Sequence, residues 1–419
     1  MRNKIAVSML SGILVFSMLA GCGASTSSES DTDNSKEASS TEEGGISGQL
    51  TFVHCEGNDK PGFQQLIADF EEAYPNIEIE ASYMVNSELK KQMQINMLAN
   101  NMPDIVVFDS PDFATFAANG YLLDITEQMD EWGELENFYE GPLNSVTYKD
   151  RIYGLPWYSN NLALYYNKAM LEEAGVEPPA TWEELEAACE KLTKDGVYGF
   201  GMALPKSEVG TFQYMPWLYS AGGDISDLTS DAAVKALDFI TELVEKGYMS
   251  KECINWAHGD LEKAFIGEKV AMIEFGSWGV ASLDNGGADF EWGVVPLPVD
   301  QKPVTILGGY DVGISKDCEN VEAAMEFLKF IGSAEQVSAY AESIGNIPVR
   351  KDVMDNPMWE EEPIKTFVDQ MENSVSRVNP FWPDLSANVQ TAIQKAVTGE
   401  SSAKDALNEA EEKNKDYWQ

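Results

Sequence analysis

Asp104-Ile105-Val106-Val107-Phe108 is a nearly continuous apolar run closed by Asp109. A short run of this kind suits a strand buried on both faces, as parallel strands covered by helices are. Just upstream, residues 87–99 read as helix and residues 77–84 alternate as a strand. Further back, Phe63, Leu66, Ile67 and Phe70 form one stripe of an amphipathic helix over 61–74, stopped by Pro75-Asn76. Leu50-Thr51-Phe52-Val53-His54 adds another strand. Strand, helix, strand, helix, strand predicts the opening of a doubly wound α/β fold. Ligands gather at the carboxyl ends of strands in such sheets, which points to residues 54–58 and 109–112.

The alternation continues downstream. Thr181-Trp182-Glu183-Glu184 has the form of a capping box and predicts a helix to about residue 193. Ala233, Leu237, Ile240 and Val244 mark a second helix over 231–246, and 261–266 and 321–331 read the same way. Short strands are expected at 198–203, 270–275, 292–295 and 305–315. Residues 387–415 read as two helices joined at Thr398-Gly399. No repeat of solenoid period is present. The length from Gln49 onward exceeds what one core usually fills, so two domains are expected.

The first residues are different in kind. Arg2 and Lys4 precede an apolar or small stretch over 5–18, too short to span a bilayer and suited to a secretory signal core. Leu19-Ala20-Gly21-Cys22 then resembles a bacterial lipobox. That resemblance implies cleavage after residue 21 and a diacylglyceryl group on the Cys22 thiol. Residues 22–48, rich in Ser, Thr, Glu, Asp and Gly, read as a flexible linker. The protein is then expected on the outer face of the cell membrane, held there by its lipid alone.

Charge and motif content narrow the function. The chain carries 28 Lys and Arg against 70 Asp and Glu, a net charge of −42. Losing residues 1–21 removes only Arg2 and Lys4 and takes it to −44. Such a polyanion is a poor nucleic-acid binder and is repelled by anionic headgroups. Cys55, Cys189, Cys253 and Cys318 are scattered, with no CxxC pair and no histidine at zinc spacing. No metal and no cofactor is expected. Two histidines, and the lack of GxSxG, HExxH and Walker patterns, argue against an enzyme. A secreted glycosidase with paired carboxylates is the enzymatic alternative. A binding protein for a polyamine or a peptide is the other.

A series of short pieces then occurs in fixed order. Tyr153-Gly154-Leu155-Pro156 leads to Leu164-Tyr165-Tyr166-Asn167-Lys168, Ala174-Gly175-Val176, Pro178-Pro179 and Thr181-Trp182-Glu183-Glu184-Leu185. Asn100-Asn101-Met102-Pro103-Asp104, Ala221-Gly222-Gly223, Gly276-Ser277-Trp278, Gly308-Gly309 and the stretch 345–350 match as well. Together they resemble the extracellular solute-binding proteins of carbohydrate ABC importers, the group that includes maltose-binding protein. The resemblance runs from about Gln49 to the end. It departs at Asn101-Met102, where the family commonly has Gly and a small residue.

The resemblance implies a two-lobed periplasmic-binding-protein-like α/β fold with a hinge and a ligand cleft between lobes. Residues 49–157 and 297–333 would form lobe 1; residues 158–296 and 334–419 would form lobe 2. It implies a monomer that captures a carbohydrate, an oligosaccharide by preference, and delivers it to a transmembrane permease. It places ligand contacts at Asp109 or Asp112, Asn160, Tyr214 and Trp278. The residues themselves add candidates, because sugars offer flat C–H faces to aromatic rings and hydroxyls to carboxylates and amides. Trp157, Trp217, Trp278, Tyr310 and Trp382 lie beside turn, strand-end or hinge signals. Glu56 and Asn58 follow the first strand, and Asp311 follows the Gly308-Gly309-Tyr310 turn.

Overall fold

The structure, a computed structural model, describes residues 45–58 and 60–418. The expected signal segment 1–21, the expected lipid site Cys22 and the expected linker as far as residue 44 lie outside the described residues.

Strands β1 (Gly48–His54), β2 (Ile77–Tyr83) and β3 (Ile105–Asp109) form where the alternating and apolar runs predict them. Helices Pro61–Ala73 and Asn86–Ala99 connect them, so β1 runs parallel to both β2 and β3. Two more strands, β4 (Gly154–Asn160) and β9 (Gly308–Ile314), complete the first sheet in the order β2-β1-β3-β9-β4. Both join antiparallel, so the doubly wound pattern holds only for the first three strands. Its core stacks aromatic rings, with Phe327 edge-on to Phe52 at 5.2 Å and to Phe70 at 4.9 Å.

The second sheet contains β5 (Leu162–Asn167), β6 (Tyr198–Gly201), β7 (Val270–Gly276) and β8 (Trp292–Val295), in the order β8-β5-β7-β6. Helices Trp182–Leu192, Glu208–Ser220, Asp231–Glu245, Trp382–Thr398 and Ala403–Asn414 surround it. The capping box is made: Thr181 accepts from the Glu184 N–H at 3.2 Å, and Glu184 accepts from the Thr181 N–H at 3.2 Å. Each sheet has its own core, which makes the molecule two-lobed.

The chain passes between lobes three times. Asn161 alone separates β4 from β5; it is fully buried and donates to the Phe367 carbonyl at 2.9 Å. The expected strand 305–315 is broken in two. Thr305–Ile306 pairs with Ser374–Val375, while β9 enters the first sheet. The return follows the helix Ala334–Ile344, whose Val337 and Tyr340 pack into the first core. Beyond it, the buried Arg350 pairs with Glu134 at 2.6 Å and Asp352 at 2.7 Å, and donates to the Gly332 carbonyl. All four described cysteines are free thiols, and no described helix is long and apolar enough to cross a membrane.

Candidate functional site

Two glycines let two strands of the first sheet close up beside the gap between the lobes. β9 begins at Gly308-Gly309 and lies against the end of β4. A Cβ on Gly309, at φ +135°, would collide with the Tyr158 carbonyl, and one on Gly308 with the Asn160 side chain. Only glycine permits this approach. The register then shifts between Tyr310 and Asp311, where β4 carries the extra residue Trp157, and the paired Tyr158 and Tyr310 both line the gap between the sheets. A cavity of about 700 Å³ opens there, within the size range of small-molecule sites.

The wall from the first lobe is polar. Glu56, just past β1, is buried; it accepts from the Tyr158 hydroxyl and pairs with Lys60 at 3.0 Å. Asp109 closes β3. Burial pushes its carboxyl up to about 7, against the opposing pull of Arg377 4.0 Å away. Burial likewise holds the Tyr158 hydroxyl well above its usual range, so it stays a donor.

The wall from the second lobe is aromatic. Trp278 follows β7 and folds back over Gly276, where any side chain would run into the indole. His258 lies 4.9 Å from Trp278, and Phe212 stacks at 6.5 Å on another side. Burial among these rings pushes His258 down to about 4, so it is neutral at physiological pH. Its Nε2 is buried with no partner among the described residues. Arg377 lies 4.5 Å over the Phe212 ring, pairs with Glu208 and donates to the Leu307 carbonyl. Glu208 is held in turn by Trp382 Nε1 at 3.0 Å and Ser386 Oγ at 2.6 Å.

Of the residues expected from sequence, Glu56, Asp109, Asn160, Trp278 and Tyr310 line this cavity. The others do not, and packing gives the reason. Trp157 stacks on Tyr340 at 4.7 Å inside the first core, because successive strand residues point to opposite faces and Tyr158 takes the cavity side. Asp311 is buried next to Tyr310 by the same alternation. On the helix Glu208–Ser220 the first turns reach the cavity through Glu208, Val209 and Phe212. Tyr214 and Trp217 face the second core, with their polar atoms on the Ala233 carbonyl and Glu274. Trp382 stands behind Glu208, and Asp112 pairs with Lys90. Asn58 lines a separate, smaller cavity.

Tyr158, Glu208, Phe212, His258 and Arg377 also line the cavity and carry no local sequence signal. Arg377 follows an irregular segment with no periodicity, and its partner Glu208 is one acid among 70. The Gly308-Gly309 pair was the usable signal for the hinge, since paired glycines mark a close backbone approach.

Comparison with known proteins identifies the family and the fold. Residues 65–367 match the family model of the bacterial extracellular solute-binding protein. A galactooligosaccharide-binding protein of Bacillus subtilis is 23% identical over 98% of this chain and 96% of its own. A solved ABC transporter solute-binding protein from Thermotoga lettingae, bound with α-D-tagatose, has a TM-score of 0.80 at 29% identity, covering 88% of this chain and 99% of that one. Maltose-bound MalE3 of T. maritima gives 0.78 at 27% identity, with coverage of 88% and 99%. The chain belongs to the bacterial extracellular solute-binding protein family and works outside the cytoplasm.

Proposed function

We propose that this solute-binding protein captures an oligosaccharide between its lobes and hands it to the permease of an ABC transporter. The observation that carries the reading is the pairing of unlike walls across one cavity. Trp278, Phe212 and His258 offer ring faces, while Glu56, Asp109, Tyr158 and Tyr310 offer a rim of hydroxyl and carboxyl groups. A pyranose has that same division between C–H face and hydroxyl edge. The relative named for galactooligosaccharide and the similar structures bound with tagatose and maltose support it. The charges also support a neutral ligand, since Arg377 and Lys60 are matched by Glu208 and Glu56.

In this reading Glu56, Asp109, Asn160, Trp278 and Tyr310 touch the sugar, joined by Tyr158, Phe212 and His258. The first lobe comprises residues 48–160 and 308–350, and the second most of the remainder, with the crossings as hinge. Ligand contacts from both walls draw the lobes together. The protein acts as a monomer, with Cys22 carrying the lipid that keeps it near the permease. It binds without cleaving, so incubation with oligosaccharides yields no shorter products.

A thermal-shift screen over mono- and oligosaccharides tests the assignment. A true ligand at a hundred times its Kd stabilises by about 2.7 kcal/mol. The same complex should have a smaller radius of gyration by small-angle scattering. A melting shift with polyamines, and none with any saccharide, would overturn the reading.

A further inference from the structure

We propose that the saccharide site continues past Lys60 onto the outer edge of the first sheet, where Tyr83 is the platform for a distal ring of a longer oligosaccharide. The proposal rests on the carbohydrate reading and narrows the ligand to a chain that extends out of the main cavity.

The carboxyl ends of the parallel strands stand in a row. Asp109 ends β3, Glu56 follows β1, and Tyr83 ends β2 in register with His54. Each step along the row is one strand spacing, about 4.8 Å, comparable with the width of a sugar ring. The main cavity uses the first two positions. A second cavity of about 540 Å³ takes up the third, lined by Cys55, Gly57, Asn58, Lys60 and Tyr83. Lys60 belongs to both walls, so the two spaces lie on either side of its side chain.

The chemistry of the second space is that of a sugar subsite. Tyr83 is 48% exposed at the end of an edge strand. A lone exposed ring says little. This one borders a cavity that adjoins the candidate ligand site, and its hydroxyl gives the apolar face a polar tip. The Asn58 amide offers both a donor and an acceptor. The Lys60 ammonium has three donors and spends one on Glu56 at 3.0 Å, leaving capacity for sugar hydroxyls. Every residue of this space comes from the first lobe, so the subsite is complete before the lobes close.

The test is calorimetry with malto-, xylo- and galacto-oligosaccharides, from monosaccharide to pentasaccharide, on wild type, Tyr83→Ala and Tyr83→Phe. In the series that binds, wild-type affinity should rise about tenfold, or about 1.4 kcal/mol, at the length that first passes Lys60. Tyr83→Ala should abolish that rise and leave the Kd of the shortest ligand unchanged, which also reports an intact fold. Tyr83→Phe should keep most of it. No gain with length in wild type, or equal affinities for wild type and Tyr83→Ala at every length, overturns the subsite. A loss shared equally by short and long ligands overturns it too. If no saccharide binds wild type at all, the carbohydrate reading fails and the subsite with it; failure of the length dependence alone leaves that reading standing.

Discussion

The two walls of the cavity are built on different principles. On the second lobe, Trp278 and Phe212 are extensions of a core: Trp278 packs on Phe275 at 5.4 Å, and Phe212 lies under Arg377. Their positions are set by close packing and depend little on pH or ligand. On the first lobe, Glu56 holds Lys60 and Tyr158 through hydrogen bonds, and Asp109 faces Arg377 from the other wall. Their state depends on protonation and on what fills the cavity. One wall supplies a fixed apolar face; the other responds.

The sharpest contrast separates a tryptophan behind a wall from one on it. Trp157→Ala should cost about 3–5 kcal/mol of stability, because the indole fills the first core against Tyr340. Denaturant unfolding measures this, and the Kd for sugar in the folded fraction should hardly move. Trp278→Ala should do the reverse. It should lose about 1–3 kcal/mol of binding, about tenfold or more in Kd, while unfolding stays cooperative. If Trp278→Ala melts the protein and binds as before, the aromatic wall is only core.

Gly276→Ala probes the same wall indirectly. The new methyl group would occupy the space of the Trp278 ring and push it off its seat. Binding by calorimetry should weaken in the same direction as Trp278→Ala and by less, since the indole is displaced rather than removed.

A pH series tests the responsive wall. The Asp109 carboxyl sits near 7 in the fold because burial disfavours its charge, against about 3.9 in an unfolded chain. The folded state therefore holds this proton more tightly. The stability it contributes is fully present below about pH 4 and is lost as pH rises toward about 7. Asp109→Asn cannot titrate, so its stability relative to wild type should climb across that window and level off above it. Urea unfolding at several pH values measures the slope. A flat difference would mean that Asp109 is ionised throughout.

Much of the first sheet was legible because its signals are local. β1, β2 and β3 lie within a residue or two of the runs that announced them, and Thr181 and Glu184 make the box their spacing foretold. The expected residues that line the cavity are those tied to a strand end or a glycine turn: Glu56, Asp109, Asn160, Trp278 and Tyr310. β4 failed as a guide because every residue from Gly154 to Asn160 is buried, so no polar–apolar alternation separates cavity side from core side.

The sequence by itself determined the opening strand–helix alternation, the α/β class, the strong negative charge and the absence of familiar catalytic motifs, while two lobes came from its resemblance to a known family. The former follow from periodicity, composition and neighbouring residues. Only the tertiary structure decided that Tyr158 rather than Trp157 faces the cavity, and that Arg377 meets Glu208 across 169 residues of chain. A side chain's face is set by the sheet register against partners far away in sequence, and one residue of register exchanges the two faces.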